Sequence, residues 1–242
     1  AGKSQGVLIL SGGGLVPGLR ANKIETDGKL PGLFTTVERL KNGKTVIGGA
    51  DDASLRMLEG NGKLRRLCTL PDALMVTRIA ELPGGDLLAA TLPKGRIYRV
   101  KPDGKAELFV QLPEDHVWNL QVAGAVVFAS TGPKASIYRI DLNSRKFTMW
   151  WSAQEKHILA MRYVPKRGLL VGTTPEARVY EIPDTTASPA ARLLYDFSGN
   201  EIRDLAISGD TVFVAVNNLQ YRANTSNPTQ PLEAQGGNAG GG

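Results

Sequence analysis

The chain has 242 residues, of which 42% are hydrophobic and 6% aromatic, and its formal net charge is +6. A chain of this length suits one all-β domain, and no apolar run approaches the roughly 18 residues that cross a membrane as a helix. Cys68 is the only cysteine, which excludes an internal disulfide and a thiolate-bound metal cluster.

The basic residues are scattered along the chain, and the densest cluster is only Lys63, Arg65 and Arg66. This pattern disfavours nucleic acid, which requires a basic patch or stripe. It leaves open a mildly basic surface or an anionic partner such as a cell-wall glycan or another anionic polymer. The first residue is Ala1 and not Met; a cleaved export signal would leave such an end, so we expect a periplasmic, secreted or envelope-associated protein.

Residues 1–32 predict a short strand unit, either a reduced copy of the repeat that follows or strands that close the fold. Val7–Leu10 is a predicted strand, and Asn22–Thr26 with its following turn resembles a third strand of the repeat. The glycines at positions 12–14 lack the Lys-Ser/Thr of a phosphate-binding loop and precede no predicted helix. We therefore interpret them as an ordinary loop.

A four-residue phrase centred on tyrosine recurs from the middle of the chain onward. Its copies are Ile97–Val100, Ile137–Ile140 and Val179–Ile182, with a degenerate copy at Leu55–Leu58. A period of about 40–45 residues with strand-like copies is typical of a propeller blade. One such repeat cannot bury its own apolar faces, so the copies must stack into an array.

Aligning the copies predicts four strands in each repeat. Second strands such as Ala125–Thr131 are apolar on both faces, as expected of a sheet covered on both sides. The predicted blades cover residues 33–70, 74–111, 116–151 and 157–197, with a partial blade at 201–222. Residues 223–242 have the polar and Gly-rich composition of a flexible linker.

The predicted fold is an all-β propeller with about four complete antiparallel blades and partial blades at both ends. An open arc would expose an apolar sheet face at each end, which is costly. We therefore expect these residues to belong to a larger ring of six to eight blades. Further blades beyond the linker, or another protomer, would complete it.

Two phrases resemble a group of bacterial β-propeller proteins of unassigned function. They are Thr131–Lys134, which precedes a copy of the tyrosine phrase, and Glu155–Ala160. The chain also resembles the wider YVTN, NHL and WD40-like propeller superfamilies over residues 33–219. This resemblance implies a fold and a binding platform, not a particular reaction.

Two histidines occupy matching positions at the start of predicted inner strands, on the face that carries the mouth of the channel. One interpretation is a metal or acid–base site built from His116, His157 and a carboxylate such as Glu201. The alternative is that each ring caps its own blade junction. Because a residue repeated at one blade position usually serves the repeat, we expect the two rings not to share a ligand. No cofactor motif is present in the sequence, so we expect no cofactor, metal or catalytic residue.

Aromatic and basic residues suggest where a partner would bind. The repeat tyrosines are predicted to be core wedges between blades, and Trp118 is predicted to be core. Trp150 and Trp151 are neighbours on an outer strand, where adjacent side chains point to opposite faces, so one of them is expected at an interface. Lys94 and Lys134, in equivalent loops at the channel mouth, are further interface candidates.

The sequence therefore predicts a non-catalytic scaffold that binds other proteins of a bacterial envelope or multi-subunit assembly. Two alternatives remain open. One is a propeller enzyme, such as a metal-assisted lyase or hydrolase, acting at the mouth of the channel. The other is a carbohydrate or cell-wall binding module.

Overall fold

The computed structural model describes residues 7–9, 15–17, 24–26, 30–60, 62–184 and 189–218. These residues form strands, turns and loops, which confirms the prediction of an all-β fold. Within these ranges, no helix is long and apolar enough to span a membrane.

The described part of the chain begins with an antiparallel hairpin of β1 (Val7–Ile9) and β2 (Leu15–Pro17). The short strand β3 (Glu25–Thr26) follows. Four successive sheets then each contain four antiparallel strands that pair in chain order, and we call these sheets blades.

The strands of blade 1 are β4 (Phe34–Arg39), β5 (Thr45–Gly49), β6 (Ser54–Leu58) and β7 (Lys63–Thr69). Those of blade 2 are β8 (Met75–Glu81), β9 (Leu87–Leu92), β10 (Arg96–Val100) and β11 (Ala106–Gln111). Those of blade 3 are β12 (His116–Ala123), β13 (Val126–Gly132), β14 (Ser136–Asp141) and β15 (Phe147–Ser152). Those of blade 4 are β16 (His157–Val164), β17 (Gly168–Thr174), β18 (Arg178–Ile182) and β19 (Arg192–Asp196). A fifth, two-stranded sheet contains β20 (Glu201–Ser208) and β21 (Thr211–Asn217), and we call it blade 5.

The core consists of apolar layers between adjacent blades. In β9, Leu87 and Ala89 pack in the layer shared with blade 1, whereas Leu88 and Ala90 pack in the layer shared with blade 3. Alternate side chains of a strand point to opposite faces, so a strand covered on both sides must be apolar throughout. This explains why the second strands of the blades lack the polar alternation of half-exposed strands.

The inner strands contact one another in the order β4, β8, β12, β16 and β20, and residues from all of them line a central channel. Hydrogen bonds link blades 1 to 4 in this order. Thr35 Oγ1 donates to the carbonyl of Val76, and Thr77 Oγ1 donates to the carbonyl of Val117. Asn119 then donates to the carbonyl of Leu159. The polar side chains of these inner strands therefore hold the blades together.

The two ends of the array differ from complete blades. The sequence predicts a third-strand copy at 22–26, whereas β3 pairs in parallel with β7 on the outer edge of blade 1. Among the described strands, β1 pairs with β2 and not with blade 5. Val37 of blade 1 and Phe213 of blade 5 are 59% and 58% exposed. A ring of six to eight blades stays a prediction, and the predicted linker at 223–242 lies outside the described residues.

The repeat tyrosines lie at equivalent places on the third strands and serve the blades. Tyr98 and Tyr138 are buried between blades, as predicted. Their hydroxyls donate to the loop that precedes their own blade, Tyr98 to the carbonyl of Pro71 and Tyr138 to Oε1 of Glu114. Tyr180 is partly buried, and its hydroxyl donates to Oε1 of Glu155 at 2.9 Å.

Each outer strand carries a β-bulge next to the tyrosine position. In blade 3 the ladder passes from Ile137–Trp151 to Tyr138–Met149, so Trp150 is the extra residue. A bulge bends its strand and re-aims the side chain at that place. As a result Trp150 is only 5% exposed and packs on Phe128, with ring centroids 4.8 Å apart.

Candidate functional site

Every inner strand also carries a bulge, and all of these bulges lie at the same level of the channel. The residues left out of the ladder are Thr35, Thr77, Trp118, Leu159 and Arg203, one from each of β4, β8, β12, β16 and β20. All of them line one cavity of about 580 Å³ in the channel. Because bulges re-aim side chains and are over-represented next to functional sites, this cavity is the candidate site.

The lining of the cavity combines apolar and polar side chains. Phe34, Met75, Leu92 and Trp118 contribute apolar or aromatic surface. The polar lining residues are Thr35, Thr36, Thr77, Arg78, Asn119, Arg203 and Asp204. An apolar pocket with a few convergent polar groups is the usual form of a small-molecule site.

His116, Trp118 and His157 form a cluster beside this cavity. The two imidazole centroids are 6.0 Å apart with an interplanar angle of 29°, and Trp118 lies near both rings. The indole Nε1 donates to Nδ1 of His157 at 3.1 Å. This bond requires Nδ1 of His157 to be unprotonated, so the ring is held as a neutral imidazole.

Gly132 makes the cluster possible. It pairs with His116 in the ladder of blade 3. A Cβ at this position would overlap Nδ1 of His157 and lie 2.8 Å from Nε1 of Trp118. The absence of a side chain at the end of β13 therefore lets the ring of the next blade approach the indole.

The structure brings equivalent positions of blades 3 and 4 close together, with the two ring centroids 6.0 Å apart. That the two rings do not share a ligand stays a prediction. Burial lowers the pKa of His157, and the neighbouring His116 lowers it further. Nδ1 of His116 is buried, and no described residue forms a hydrogen bond with it.

Glu201 is the third predicted member of this site. It accepts a hydrogen bond from Asn217 at 2.9 Å within blade 5. In the described residues, no group of three or more His, Cys, Asp or Glu side chains is placed to hold a metal ion. The structure thus brings the two histidines together without assembling such a group around them.

Four charged side chains from different blades meet deeper in the channel. Nη2 of Arg162 lies 2.7 Å from Oδ1 of Asp204, whereas Nη2 of Arg78 lies 3.9 Å from Oε2 of Glu38. Burial lowers the pKa of Arg78, and Arg162 lowers it further, while burial raises the pKa of Glu38. Sequence reasoning did not single out these residues, although Arg78 is a cation in the otherwise apolar centre of β8 and could have been noticed on that ground.

Lys94 and Lys134 line a separate cavity of about 370 Å³ between blades 2 and 3. Glu114 and Asp115 line the same cavity. Both lysines follow a cis-proline in equivalent loops between second and third strands. Their role as interface residues stays a prediction.

The tryptophan pair does not match the simple alternation that the sequence predicts. Trp150 is turned into the core by its bulge, so it does not present its indole at the surface. Trp151 is partly exposed and packs against Tyr180, with ring centroids 5.4 Å apart. Of the two, only Trp151 remains a candidate for a rim interface.

Comparison with known proteins establishes the fold. No protein-family model matches the chain, and no curated protein sequence matches it. Many solved structures do match. Virginiamycin B lyase from Staphylococcus aureus superposes with a TM-score of 0.66 at 15% identity, over 87% of this chain and 70% of that one. The chain is a β-propeller.

Other propellers in the comparison have different activities. A gluconolactonase from Xanthomonas campestris gives a TM-score of 0.64 at 13% identity, over 76% of this chain and 69% of that one. The WD40 propeller domain of Doa1 gives a TM-score of 0.60 at 14% identity, over 74% of this chain and 59% of that one. Identities this low show the propeller fold alone, because one fold hosts many unrelated functions.

Proposed function

We propose that this propeller is a non-catalytic scaffold that binds another protein through the outer rim of its blades. The observation that carries this proposal is a row of exposed apolar side chains on the outer strands. Leu108, Met149 and Leu193 are 45%, 59% and 48% exposed. Each of them pairs with the repeat tyrosine of its own blade, so the three occupy equivalent positions.

Each outer strand that carries this row also has one edge open for pairing with a strand of another protein. In the described sheets, β11, β15 and β19 each have a neighbour on one side only. An unpaired edge presents N–H and C=O groups that another chain can use to add a strand. Phe147 beside Met149 and Tyr195 beside Leu193 enlarge the exposed apolar surface of this rim.

The charge of the rim favours an acidic partner. Lys146 is exposed next to Phe147, and Arg139 is exposed opposite Thr148. Arg145, in the turn that leads into β15, is paired with Glu107 of β11. Complementary charge steers a partner and fixes its register. We propose an extended acidic segment of another protein, within an assembly of the bacterial envelope or a multi-subunit complex, as the occupant of this edge.

Co-purification of partners under native conditions, with quantification of each protein, tests the scaffold proposal. Met149→Asp and Leu193→Asp are expected to lose a partner that the unmodified chain retains at a fixed ratio. Leu74→Asp is the matched control, because Leu74 is 58% exposed, close to the value for Met149, but lies in the loop that leads into inner strand β8. A partner retained by both rim variants, or no partner at a fixed ratio, would contradict the proposal.

The second candidate is a propeller enzyme acting at the channel mouth, and the pairing of His116 with His157 favours it. Because its pKa is lowered, the ring of His157 is neutral at neutral pH, and it could accept a proton at Nδ1 once the hydrogen bond from Trp118 opens. A metal-assisted lyase or hydrolase would require bound metal. Metal analysis of the purified protein, compared with His116→Gln and His157→Gln, tests this candidate; a metal content that is near zero or unchanged in the variants excludes the metal-assisted form.

A further inference from the structure

We infer that the central channel binds a small organic acid, whose carboxylate pairs with Arg78 and whose apolar body lies against Trp118 and Phe34. This inference goes beyond the scaffold role and does not depend on it, because the channel and the outer rim are separate surfaces. It rests on the chemistry of the cavity lining, on the spare hydrogen-bonding capacity of Arg78, and on the placement of the neighbouring charges.

Most polar groups around the cavity are already committed to holding the blades together. Thr35 and Thr77 donate to backbone carbonyls of the next blade, and Asn119 does the same with its amide. Arg78 differs from them. Its Nε is buried, and no described residue accepts a hydrogen bond from it. A guanidinium has five N–H donors in a planar fork, so Arg78 has donors to spare.

Arg78 also stands at a boundary within the channel. It lines the main cavity of about 580 Å³. It lines a second cavity of about 330 Å³ as well, together with Glu38, Glu81 and Gln121. Glu38 belongs to the second cavity only, and its 3.9 Å separation from Arg78 exceeds a hydrogen bond. On the side of the main cavity, the carboxylate that acts on Arg78 is Asp204, and Asp204 is itself paired with Arg162.

The other charges around the main cavity leave it with a positive balance. Arg78 and Arg203 line it as cations, and Asp204 is the only carboxylate among its lining residues. Asp204 is held by Arg162 at 2.7 Å. Arg162 also lowers the pKa of Arg78 by charge repulsion, after the larger effect of burial. An anion beside Arg78 would relieve this repulsion.

The volume and lining of the cavity indicate the chemistry of the rest of the ligand. Its volume lies within the range of about 300–1,000 Å³ that is usual for small-molecule sites. Phe34 and Met75 are the first residues of β4 and β8, Trp118 lies at the level of the bulges, and Arg78 follows the bulged Thr77 further along β8. A ligand with an acid at one end and a ring or short chain at the other matches this order. Carboxylate suits the planar guanidinium fork because both groups can form two parallel hydrogen bonds.

Calorimetric titration with phenylacetate, hexanoate and phenylacetamide tests the inference. The amide has the shape of phenylacetate without its charge. We expect both acids to bind at one site and the amide to bind at least about tenfold more weakly, a difference of roughly 1.4 kcal/mol. Arg78→Gln should weaken phenylacetate binding by about tenfold or more, whereas Arg145→Gln, which removes an arginine exposed on the rim, should not change it.

Fluorescence locates the bound acid. Phenylacetate should change the tryptophan emission of the unmodified chain, and Trp118→Phe should remove most of that change while the calorimetric signal persists. Melting temperatures check that the variants fold. If Arg78→Gln does not fold, Arg78→Lys replaces it, because lysine keeps the charge but loses the fork, and weaker binding is again expected. Failure of both acids to bind, equal affinity for acid and amide, or unchanged binding in the Arg78 variant would overturn the inference.

Discussion

At the scale of single residues, the contact between blades 3 and 4 depends on an absent side chain. Gly132 leaves the space in which Nδ1 of His157 accepts the indole hydrogen of Trp118. The equivalent residue at the end of β17 is Thr174, whose hydroxyl donates to the carbonyl of Asn200 instead. The same position of the repeat therefore joins neighbouring blades in two ways, according to the size of its side chain.

Gly132→Ala is expected to destabilise the protein by about 1–3 kcal/mol, the usual cost of inserting a methyl group into packed structure. The added methyl group must displace the imidazole of His157 or the indole of Trp118. Denaturant unfolding measures the change. Gly60→Ala is the control, because a Cβ there meets nothing within 4 Å, and its effect should stay within about 0.5 kcal/mol. Equal effects of the two substitutions would show that the contact is unimportant for stability.

At the scale of elements, the third strands of blades 2, 3 and 4 are each fastened to the loop that precedes their blade. The tyrosine hydroxyls form this link, with Glu114 as acceptor for Tyr138 and Glu155 as acceptor for Tyr180. Burial, reinforced by the charge of Glu114, raises the pKa of Tyr138 to about 12. The hydroxyl therefore remains a donor at neutral pH.

Tyr138→Phe should reduce the free energy of unfolding by about 1–3 kcal/mol, since the buried Glu114 loses a donor. Tyr195→Phe provides the comparison, because Tyr195 is exposed on the outer strand of blade 4, and its loss should be below about 0.5 kcal/mol. Chemical unfolding at neutral pH gives both values. A Tyr138 variant as stable as the Tyr195 variant would mean that the ring alone, and not its hydroxyl, fixes the third strand.

At the scale of the whole molecule, the described blades form an array whose two end sheets have apolar side chains facing outward. Val37 and Phe213 mark these end faces, on blade 1 and blade 5. Exposed apolar surface of this kind marks a place of association. The array therefore has two sites at which further blades, or another copy, would pack.

The chain is expected to self-associate as its concentration rises, and Val37→Lys combined with Phe213→Lys should shift it toward the monomer. A charge placed on each end face opposes burial of that face. Sedimentation velocity over a range of concentrations measures the effect. Leu108→Lys on the outer rim serves as the control and should leave self-association unchanged. A chain that stays monomeric at every concentration would show that the end faces do not attract one another.

The propeller fold could be predicted from the sequence because its signals are local and repeated. Apolar runs such as Val126–Ala129 mark strands covered on both sides, and the tyrosine phrase marks the third strands. The bulges could not be predicted in this way, because one extra residue in a strand leaves no trace in composition. Trp150 shows the consequence: simple alternation places the two indoles on opposite faces, and the bulge buries Trp150 instead.

The candidate site was only partly predictable. His116 and His157 could be identified by their matching positions, but their closeness depends on the curvature between blades, which no spacing in the sequence reveals. Arg78 appears in the sequence as one arginine among many. Its importance appears only in the folded protein, where Glu38, Arg162 and Asp204 from three other blades lie near Arg78.

The bulge in every inner strand separates residues that line the channel from residues that pack between the blades. The extra residues, Thr35, Thr77, Trp118, Leu159 and Arg203, face the channel without belonging to the ladder. Thr35, Thr77 and Trp118 also donate hydrogen bonds to the next blade, so a substitution at any of them removes a link between blades. The apolar layers between the blades are built from other residues than Leu159 and Arg203, so changes at these two positions leave that packing intact. The fold thus offers a few variable channel positions beside fixed ones, at which natural drift or a combinatorial library could generate new channel linings while the blades stay the same.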